Sequence, residues 1–113
     1  MEDKIYLVGG YNDKVTEYNP YTNTWRKMPC LLEGRTSPSV CTLDNKIFVM
    51  GGGGYTFEML DLNDDDPEWR YIAEMNRIIH NDNSAVVIEK NVYVVGGEGS
   101  TNSVEVYDAD KGR

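Results

Sequence analysis

The sequence predicts an all-β fold built from repeated antiparallel sheets, and three observations predict it. An apolar run of four residues closed by a glycine pair occurs three times, at 5–10, 47–52 and 92–97. The first glycines of successive pairs lie 42 and 45 residues apart (51 − 9 and 96 − 51). Glycine and tyrosine are abundant, with 11 and 8 copies among 113 residues, which favours strands joined by tight turns.

Each apolar run predicts a strand, named strand B, that is buried on both faces. The run lacks the alternation of a strand wetted on one side. We expect the glycines that close the runs to allow close backbone packing and positive φ angles. They are Gly9, Gly10, Gly51, Gly52, Gly96 and Gly97. A phosphate cradle is the other use of such glycines, but no Gly-Lys-Ser/Thr follows them.

Three further strands are predicted in register with strand B. Strand C shows the alternation of a half-exposed strand, strand D begins at a tryptophan, and strand A leads into the next strand B through a tight hairpin turn. The predicted positions are 15–19, 57–61 and 104–108 for C, Trp25 and Trp69 for the start of D, and 39–43 and 84–88 for A. The chain therefore runs B-C-D, A-B-C-D, A-B-C, in units of about 1–35, 36–80 and 81–113.

Four aromatic residues recur in register with these strands. They are Tyr18, Trp25, Trp69 and Tyr107. A set that stacks against a ligand is one interpretation. Because these residues recur at the same positions of the repeat, they should have the same structural role in each unit. We therefore expect all four to pack in the core between sheets.

Four short strands in about 40–50 residues form one blade of a β-propeller. The recurring landmarks are hydrophobic-Tyr-hydrophobic-Val-Gly-Gly, Val-x-x-Tyr-Asn/Asp-Pro, then Trp, Met and Arg, and over nearly the whole chain they closely resemble the kelch motif. Leu60 and Ala109 depart from the expected tyrosine and proline. His80, and not Arg77, lies as far before its glycine pair as Arg35 does. The resemblance implies a partial kelch β-propeller of antiparallel four-stranded blades.

Kelch rings that resemble this chain usually have six blades, so the chain supplies less than half of one. An open arc leaves two apolar sheet faces in water. We therefore expect a fragment or truncated product, or self-association through the open faces. A simple ring of copies is disfavoured, because the chain carries three B and three C strands but only two A and two D.

Charge and composition exclude several function classes. The formal net charge is −8, which disfavours nucleic acid and anionic membranes and suits a basic protein or peptide. Two cysteines, Cys30 and Cys41, are too few for a disulfide scaffold. Residues 1–4 show neither a basic start nor an apolar core, so we expect no signal peptide, and no stretch approaches the roughly 20 apolar residues of a membrane span. We therefore expect a cytoplasmic protein with reduced cysteines.

The sequence offers no convincing catalytic, metal or cofactor site. His80 is the only histidine, and general-base chemistry also needs an orienting partner and a nucleophile. The acidic run 61–68 lacks the spacing of a calcium loop and predicts a solvated turn. We expect a protein that is not an enzyme and uses no metal or cofactor.

The B–C and D–A loops are the candidate partner-binding surface, because they project from one face of a propeller and are free of packing constraints. Tyrosine and arginine often anchor protein interfaces. The candidate residues, expected to be exposed, are Tyr11, Asn12, Arg35, Ser37, Tyr55, Arg77, His80, Ser100 and Asn102.

The kelch resemblance implies non-catalytic protein recognition by these loops, of the kind that BTB-kelch adaptors of cullin-RING ubiquitin ligases provide for their substrates. Two alternatives remain open. The chain could be an actin-binding or scaffolding kelch protein, or a fragment of a propeller enzyme.

Overall fold

The protein folds as ten β-strands. The computed structural model describes residues 4–9, 13–35, 38–51, 56–74, 83–96, 104–109 and 111. The strands are β1 (Ile5–Val8), β2 (Val15–Asn19), β3 (Thr24–Lys27), β4 (Ser39–Leu43), β5 (Lys46–Met50), β6 (Thr56–Asp61), β7 (Arg70–Glu74), β8 (Asn83–Ile88), β9 (Asn91–Gly96) and β10 (Val104–Asp108). The all-β class and the predicted order of strands are confirmed.

The strands form three antiparallel sheets that follow one another along the chain. Sheet 1 has the order β1-β2-β3, sheet 2 has β4-β5-β6-β7, and sheet 3 has β8-β9-β10. The glycine-pair strands are β1, β5 and β9. Each lies beside the strand that follows it in sequence. The predicted hairpins between strands A and B are formed by β4 with β5 and by β8 with β9.

The middle sheet is covered on both faces, and its strand β5 shows why the apolar run is continuous. Ile47 and Val49 belong to the cluster shared with sheet 1, whereas Phe48 and Met50 belong to the cluster shared with sheet 3. All four are at most 2% exposed. Because successive side chains of a strand point to opposite faces, only an unbroken apolar run can fill both interfaces.

Two hydrophobic clusters join the sheets. The cluster between sheets 1 and 2 consists of Val15, Leu31, Ile47, Val49, Leu60 and Trp69. The cluster between sheets 2 and 3 consists of Phe48, Met50, Phe57, Val92, Val94 and Tyr107. Each sheet therefore uses its neighbour along the chain as the other half of its core, as stacked repeat units do.

The hairpin turns that lead into the glycine-pair strands β5 and β9 lie at one edge of the stack, and the glycine-pair strands end at the other. The turn between β4 and β5 has positive φ at both central residues, 53° at Asp44 and 63° at Asn45, the type I′ geometry that matches strand twist. At the opposite edge, named the loop edge, the odd-numbered strands end and the even-numbered strands begin.

Glycine is required where β1 ends at the loop edge. Gly9 has a φ of +66°, and a Cβ at this position would lie 3.0 Å from the backbone oxygen of Arg35. Gly51, at the end of β5, likewise has a φ of 72°. Gly96 is the last residue of β9, whereas Gly10, Gly52 and Gly97 lie outside the described residues.

Three burial predictions from the sequence are wrong. Strand B is buried on both faces only in sheet 2, since Ile5 and Leu7 of β1 are 57% and 62% exposed and Val95 of β9 is 43% exposed. Strand C of sheet 2 is not half exposed: in β6, Phe57, Glu58 and Leu60 are all buried, because sheets lie on both of its sides. Trp25 is 62% exposed and contacts the half-buried Tyr18 across β2 and β3, with ring centroids 4.7 Å apart. Its face of sheet 1 has no described sheet against it.

Candidate functional site

The candidate site lies at the loop edge, where the segment 28–35 connects sheet 1 to sheet 2. Its backbone is held at both ends. The Met28 amide donates a hydrogen bond of 3.0 Å to the Val15 oxygen, and the Leu31 amide donates one of 2.7 Å to the Asp13 oxygen. The Leu31 side chain is 4% exposed in the core below. This anchoring fixes the connection against the sheets.

The Arg35 side chain fastens the connection to sheet 2. Its Nε atom lies 2.9 Å from a carboxylate oxygen of Glu58, and both side chains have no exposed surface. Its Nη1 atom donates to the oxygens of Gly51, at 2.8 Å, and Thr56, at 3.2 Å. Charge-assisted hydrogen bonds to a buried carboxylate are the strong kind, so this contact is a major link between the connection and sheet 2.

The remaining nitrogen of the Arg35 guanidinium, Nη2, belongs to a second cluster of hydrogen bonds. Nη2 donates to the Thr56 hydroxyl at 2.9 Å, and that hydroxyl donates to Glu33 at 2.7 Å. Tyr71 donates to the other oxygen of Glu33 at 3.1 Å. Every nitrogen of the Arg35 guanidinium therefore has an acceptor, as a buried cation requires.

Glu58 is satisfied from two directions. One carboxylate oxygen accepts from Arg35, and the other accepts from the Leu32 amide at 2.5 Å. The same glutamate therefore holds both the backbone and the side chain of the connection. Arg35 also contacts both ends of the β5–β6 loop, at Gly51 and Thr56. The network fixes the bases of two neighbouring loops at the loop edge.

The prediction that Arg35 is exposed is wrong. It is 1% exposed, because the cation lies in the interface between two sheets and its donors are used within the chain. Arg35 therefore positions the surface and does not reach a partner. The other candidate partner-binding residues lie outside the described residues; they are Tyr11, Asn12, Ser37, Tyr55, Arg77, His80, Ser100 and Asn102.

Sequence reasoning missed two residues of this site. Glu58 is 0% exposed, and the alternation of strand C suggested no special role for it. The sequence did contain one signal for Glu58, which is an acidic residue inside β6, a strand that lies between β5 and β7. Leu32 lies within the fixed connection and is 48% exposed. Its apolar side chain is therefore exposed on a backbone that the Glu58 hydrogen bond holds in place.

Burial also affects the ionisation of groups around the site. Partial desolvation, followed by the hydrogen bond to Glu33, raises the pKa of Tyr71 above its usual value of 10.0, so its hydroxyl remains a donor at neutral pH. Burial raises the pKa of the Cys41 thiol to about 11. Cys41 therefore carries its proton at neutral pH. Both cysteines are free thiols, and Cys30 is the exposed one.

A second concave surface lies between sheets 1 and 2, away from the loop edge. Its volume is about 860 Å³, and Tyr6, Glu17, Arg26 and Lys46 contribute to its lining. Tyr6 donates to Glu17 at 3.0 Å, and Arg26 donates to the same oxygen at 3.3 Å. Desolvation and then the Glu17 hydrogen bond raise the pKa of Tyr6 to about 12. Tyr6, Glu17 and Arg26 are therefore engaged with one another.

The acidic turn after β6 is solvated. Asp64, Asp65 and Asp66 are exposed, and Asp64 pairs with Arg70 at 3.3 Å. Among the described residues, no three side chains of His, Cys, Asp or Glu are grouped so as to hold a metal ion. The same part of the chain contains no helix long and apolar enough to cross a membrane.

The sequence is similar to known proteins over most of its length. A profile described as Kelch motif matches residues 1–32. Over 107 residues, or 90% of the chain, the sequence is 37% identical to proteins named Kelch-like protein 24 from Rattus norvegicus and Homo sapiens. The chain is a partial kelch-repeat domain. It is also 33% identical over 75 residues, 66% of the chain, to Kelch-like protein 21 of Homo sapiens, of which it covers 13%.

The kelch-repeat domain also resembles a solved structure, titled "Structure of YjhT". The TM-score is 0.53 at 21% identity, over 66% of this chain and 22% of that one, a likeness that concerns the fold alone. The kelch-repeat domain spans about 18% of the length of the Kelch-like protein 24 sequences.

Proposed function

We propose that this kelch-repeat domain is a non-catalytic protein-interaction module that binds a protein or peptide partner at its loop edge. The observation that carries the proposal is the Arg35–Glu58 network. It holds the 28–35 connection and both ends of the β5–β6 loop against a buried core. Loops on a rigid base bind with little loss of conformational entropy.

The described part of the loop edge offers an apolar anchor within polar surroundings. Leu32 is 48% exposed and Tyr71 is 50% exposed, and the polar Glu33 between them is engaged with Tyr71. A buried apolar or aromatic anchor with a polar rim is the usual arrangement of a protein interface. The net charge of −8 favours a partner with a basic surface.

We further propose that the partner is a substrate of a cullin-RING ubiquitin ligase, bound in the manner of a BTB-kelch adaptor. The support for this finer proposal is the likeness to Kelch-like proteins over 90% of the chain together with the motif resemblance in the sequence. An actin-binding or scaffolding role is the alternative, and the identity of the bound protein distinguishes the two.

Site-specific photo-crosslinking tests the proposal. A benzophenone amino acid at Leu32, on the loop edge, should capture a partner protein from cells. The same group at Tyr21, which is 63% exposed in the turn at the opposite edge, is the matched control and should not capture it. The purified partner should then bind the chain directly, and Leu32→Asp should weaken binding at least about tenfold, since one buried anchor contributes roughly 2 kcal/mol.

Two results would count against the module. Equal capture from Leu32 and Tyr21 would mean that the loop edge has no special role. A partner whose affinity is unchanged by Leu32→Asp would mean that the described part of this edge does not carry the contact. Capture of actin at Leu32 would replace substrate recognition by the scaffolding alternative.

A further inference from the structure

The exposed part of the Arg35 network presents three side chains of different chemistry. Leu32 is 48% exposed and Tyr71 is 50% exposed, and the Glu33 side chain is 35% exposed. They lie where the 28–35 connection meets sheet 2, so both sheets that border them, sheet 1 and sheet 2, belong to the described structure. We name these three residues the Tyr71 surface.

The Arg35 network has an excess of negative charge. It contains one cation and two carboxylates, because the Arg35 guanidinium lies 2.9 Å from Glu58 and 3.3 Å from Glu33. The Glu58 side chain has no exposed surface. The uncompensated charge therefore reaches solvent at Glu33, within the Tyr71 surface.

The pKa of Tyr71 gives the sign of the electrostatic potential at this surface. Desolvation and then the hydrogen bond to Glu33 raise this pKa most. The charges of Glu33 and Glu58 raise it further, whereas the charge of Arg35 lowers it and has the smallest effect. The potential at the hydroxyl is therefore negative, which favours a cation beside the ring.

A cationic side chain can use every feature of the Tyr71 surface. Among the described contacts, Glu33 Oε2 accepts one hydrogen bond, from Tyr71 at 3.1 Å. A carboxylate oxygen has two lone pairs, so this atom can accept a second bond from a cation. The half-exposed Tyr71 ring can bind the same cation on its face. Leu32, next to Glu33 in the chain, can contact an apolar residue that neighbours the cation.

We propose that the Tyr71 surface binds an arginine or lysine side chain of a partner peptide, with an apolar neighbour of that residue against Leu32. The cation lies between the Glu33 carboxylate and the Tyr71 ring. This inference rests on the proposed function of the loop edge and specifies the chemistry of the partner. An acidic residue at the same point of the peptide would meet the uncompensated charge of Glu33, so the surface selects against acidic peptides.

Selection from a random peptide library displayed on phage tests the inference. The immobilised wild-type chain should enrich peptides in which an arginine or lysine lies beside an apolar residue. A synthetic peptide with the enriched sequence is then the probe, and isothermal titration calorimetry measures its affinity for the wild-type chain and for variants. Circular dichroism and urea denaturation first establish that each variant is folded.

Glu33→Gln should weaken binding of this peptide about tenfold, the effect of losing one charge-assisted hydrogen bond. Asp64→Asn is the matched control, because it also removes one negative charge, from a side chain that is 48% exposed in the turn after β6. It should change the affinity less than about twofold, since the turn lies at the opposite edge of the stack. Tyr71→Phe keeps the ring and should retain most of the affinity, whereas Tyr71→Leu should weaken binding about threefold.

The outcomes separate this inference from the proposed function. Enriched peptides that are acidic or uncharged, and whose binding Leu32→Asp weakens, would overturn the cation site but keep the loop edge as the partner-binding surface. Equal losses for Glu33→Gln and Asp64→Asn would also overturn the cation site, because overall charge would then explain the binding. Failure to enrich any peptide whose binding Leu32→Asp weakens would overturn the cation site together with the loop-edge proposal.

Discussion

Replacing Arg35 with methionine should lower the free energy of unfolding by about 3–5 kcal/mol, the usual cost of removing one partner of a buried ion pair. The substitution leaves the fully buried Glu58 carboxylate with only the Leu32 amide as a donor among the contacts described above. Domains of this size have about 5–15 kcal/mol of stability in total. Urea denaturation followed by circular dichroism should therefore show a greatly lowered midpoint.

Arg26→Met is the matched control, since Arg26 also pairs with a glutamate of strand C. Its bridge to Glu17 is 3.3 Å long and the Arg26 side chain is 67% exposed. Glu17, whose side chain is 10% exposed, keeps the Tyr6 hydroxyl as a donor, so the expected loss is below about 1 kcal/mol. The double variant Arg35→Met with Glu58→Leu should recover much of the lost stability, because it removes the unpaired charge. Equal losses for Arg26→Met and Arg35→Met would contradict the structural role given to the buried pair.

The second large effect is expected at Trp69. Trp69→Ala should cost about 3–5 kcal/mol, the range for deleting a large aromatic side chain from a core. The indole is 5% exposed, packs in the cluster between sheets 1 and 2, and donates to Pro29 across that interface. Urea denaturation measures this loss as well, at a low micromolar concentration so that association does not contribute.

Trp25→Ala at the same repeat position should cost less than about 1 kcal/mol, as surface substitutions generally do. Its indole is 62% exposed and contacts Tyr18. A comparable loss for the two tryptophans would show that the face of sheet 1 is covered within a single chain. The arrangement of the three sheets would then be wrong.

The repeat in the sequence predicted the ten strands and their order, because each unit carries the same strong local signals. The glycine pairs, the hairpin turns and the unbroken apolar runs all depend on residues close together in the chain. The turn at Asp44 and Asn45 is an example, because both residues have positive φ, a conformation that Asp and Asn adopt more readily than most residues. Strand pairing then follows from the short connections.

The burial of repeated residues could not be predicted in the same way. Trp25 and Trp69 are equivalent in the sequence, yet within the described part of the chain a preceding sheet covers Trp69 and none covers Trp25. The position of the sheet in the stack, and not the residue type, therefore decides how exposed each tryptophan is. A repeat pattern specifies what each sheet requires from a neighbour, but the outer faces of sheets 1 and 3 have no second sheet against them among the described residues.

The role of Arg35 was missed for another reason. Its partner Glu58 lies 23 residues away in the sequence, on a strand of the next sheet. A loop arginine is usually exposed, and only the fold brings this one under the loop edge. The most informative single residue of the site is therefore the glutamate inside β6, because a carboxylate buried between sheets requires a cation.

Hydrogen exchange tests the central claim that sheet 2 is enclosed between sheets 1 and 3 and supports the loop edge. The measurement is amide exchange by mass spectrometry at a concentration where the chain is monomeric. The account predicts that β5 exchanges most slowly, because it is paired on both sides and covered on both faces. β1 should exchange much faster, being paired only with β2 among the described strands. If β1 is protected as strongly as β5, or if β5 exchanges as rapidly as β1, the stacked arrangement is contradicted.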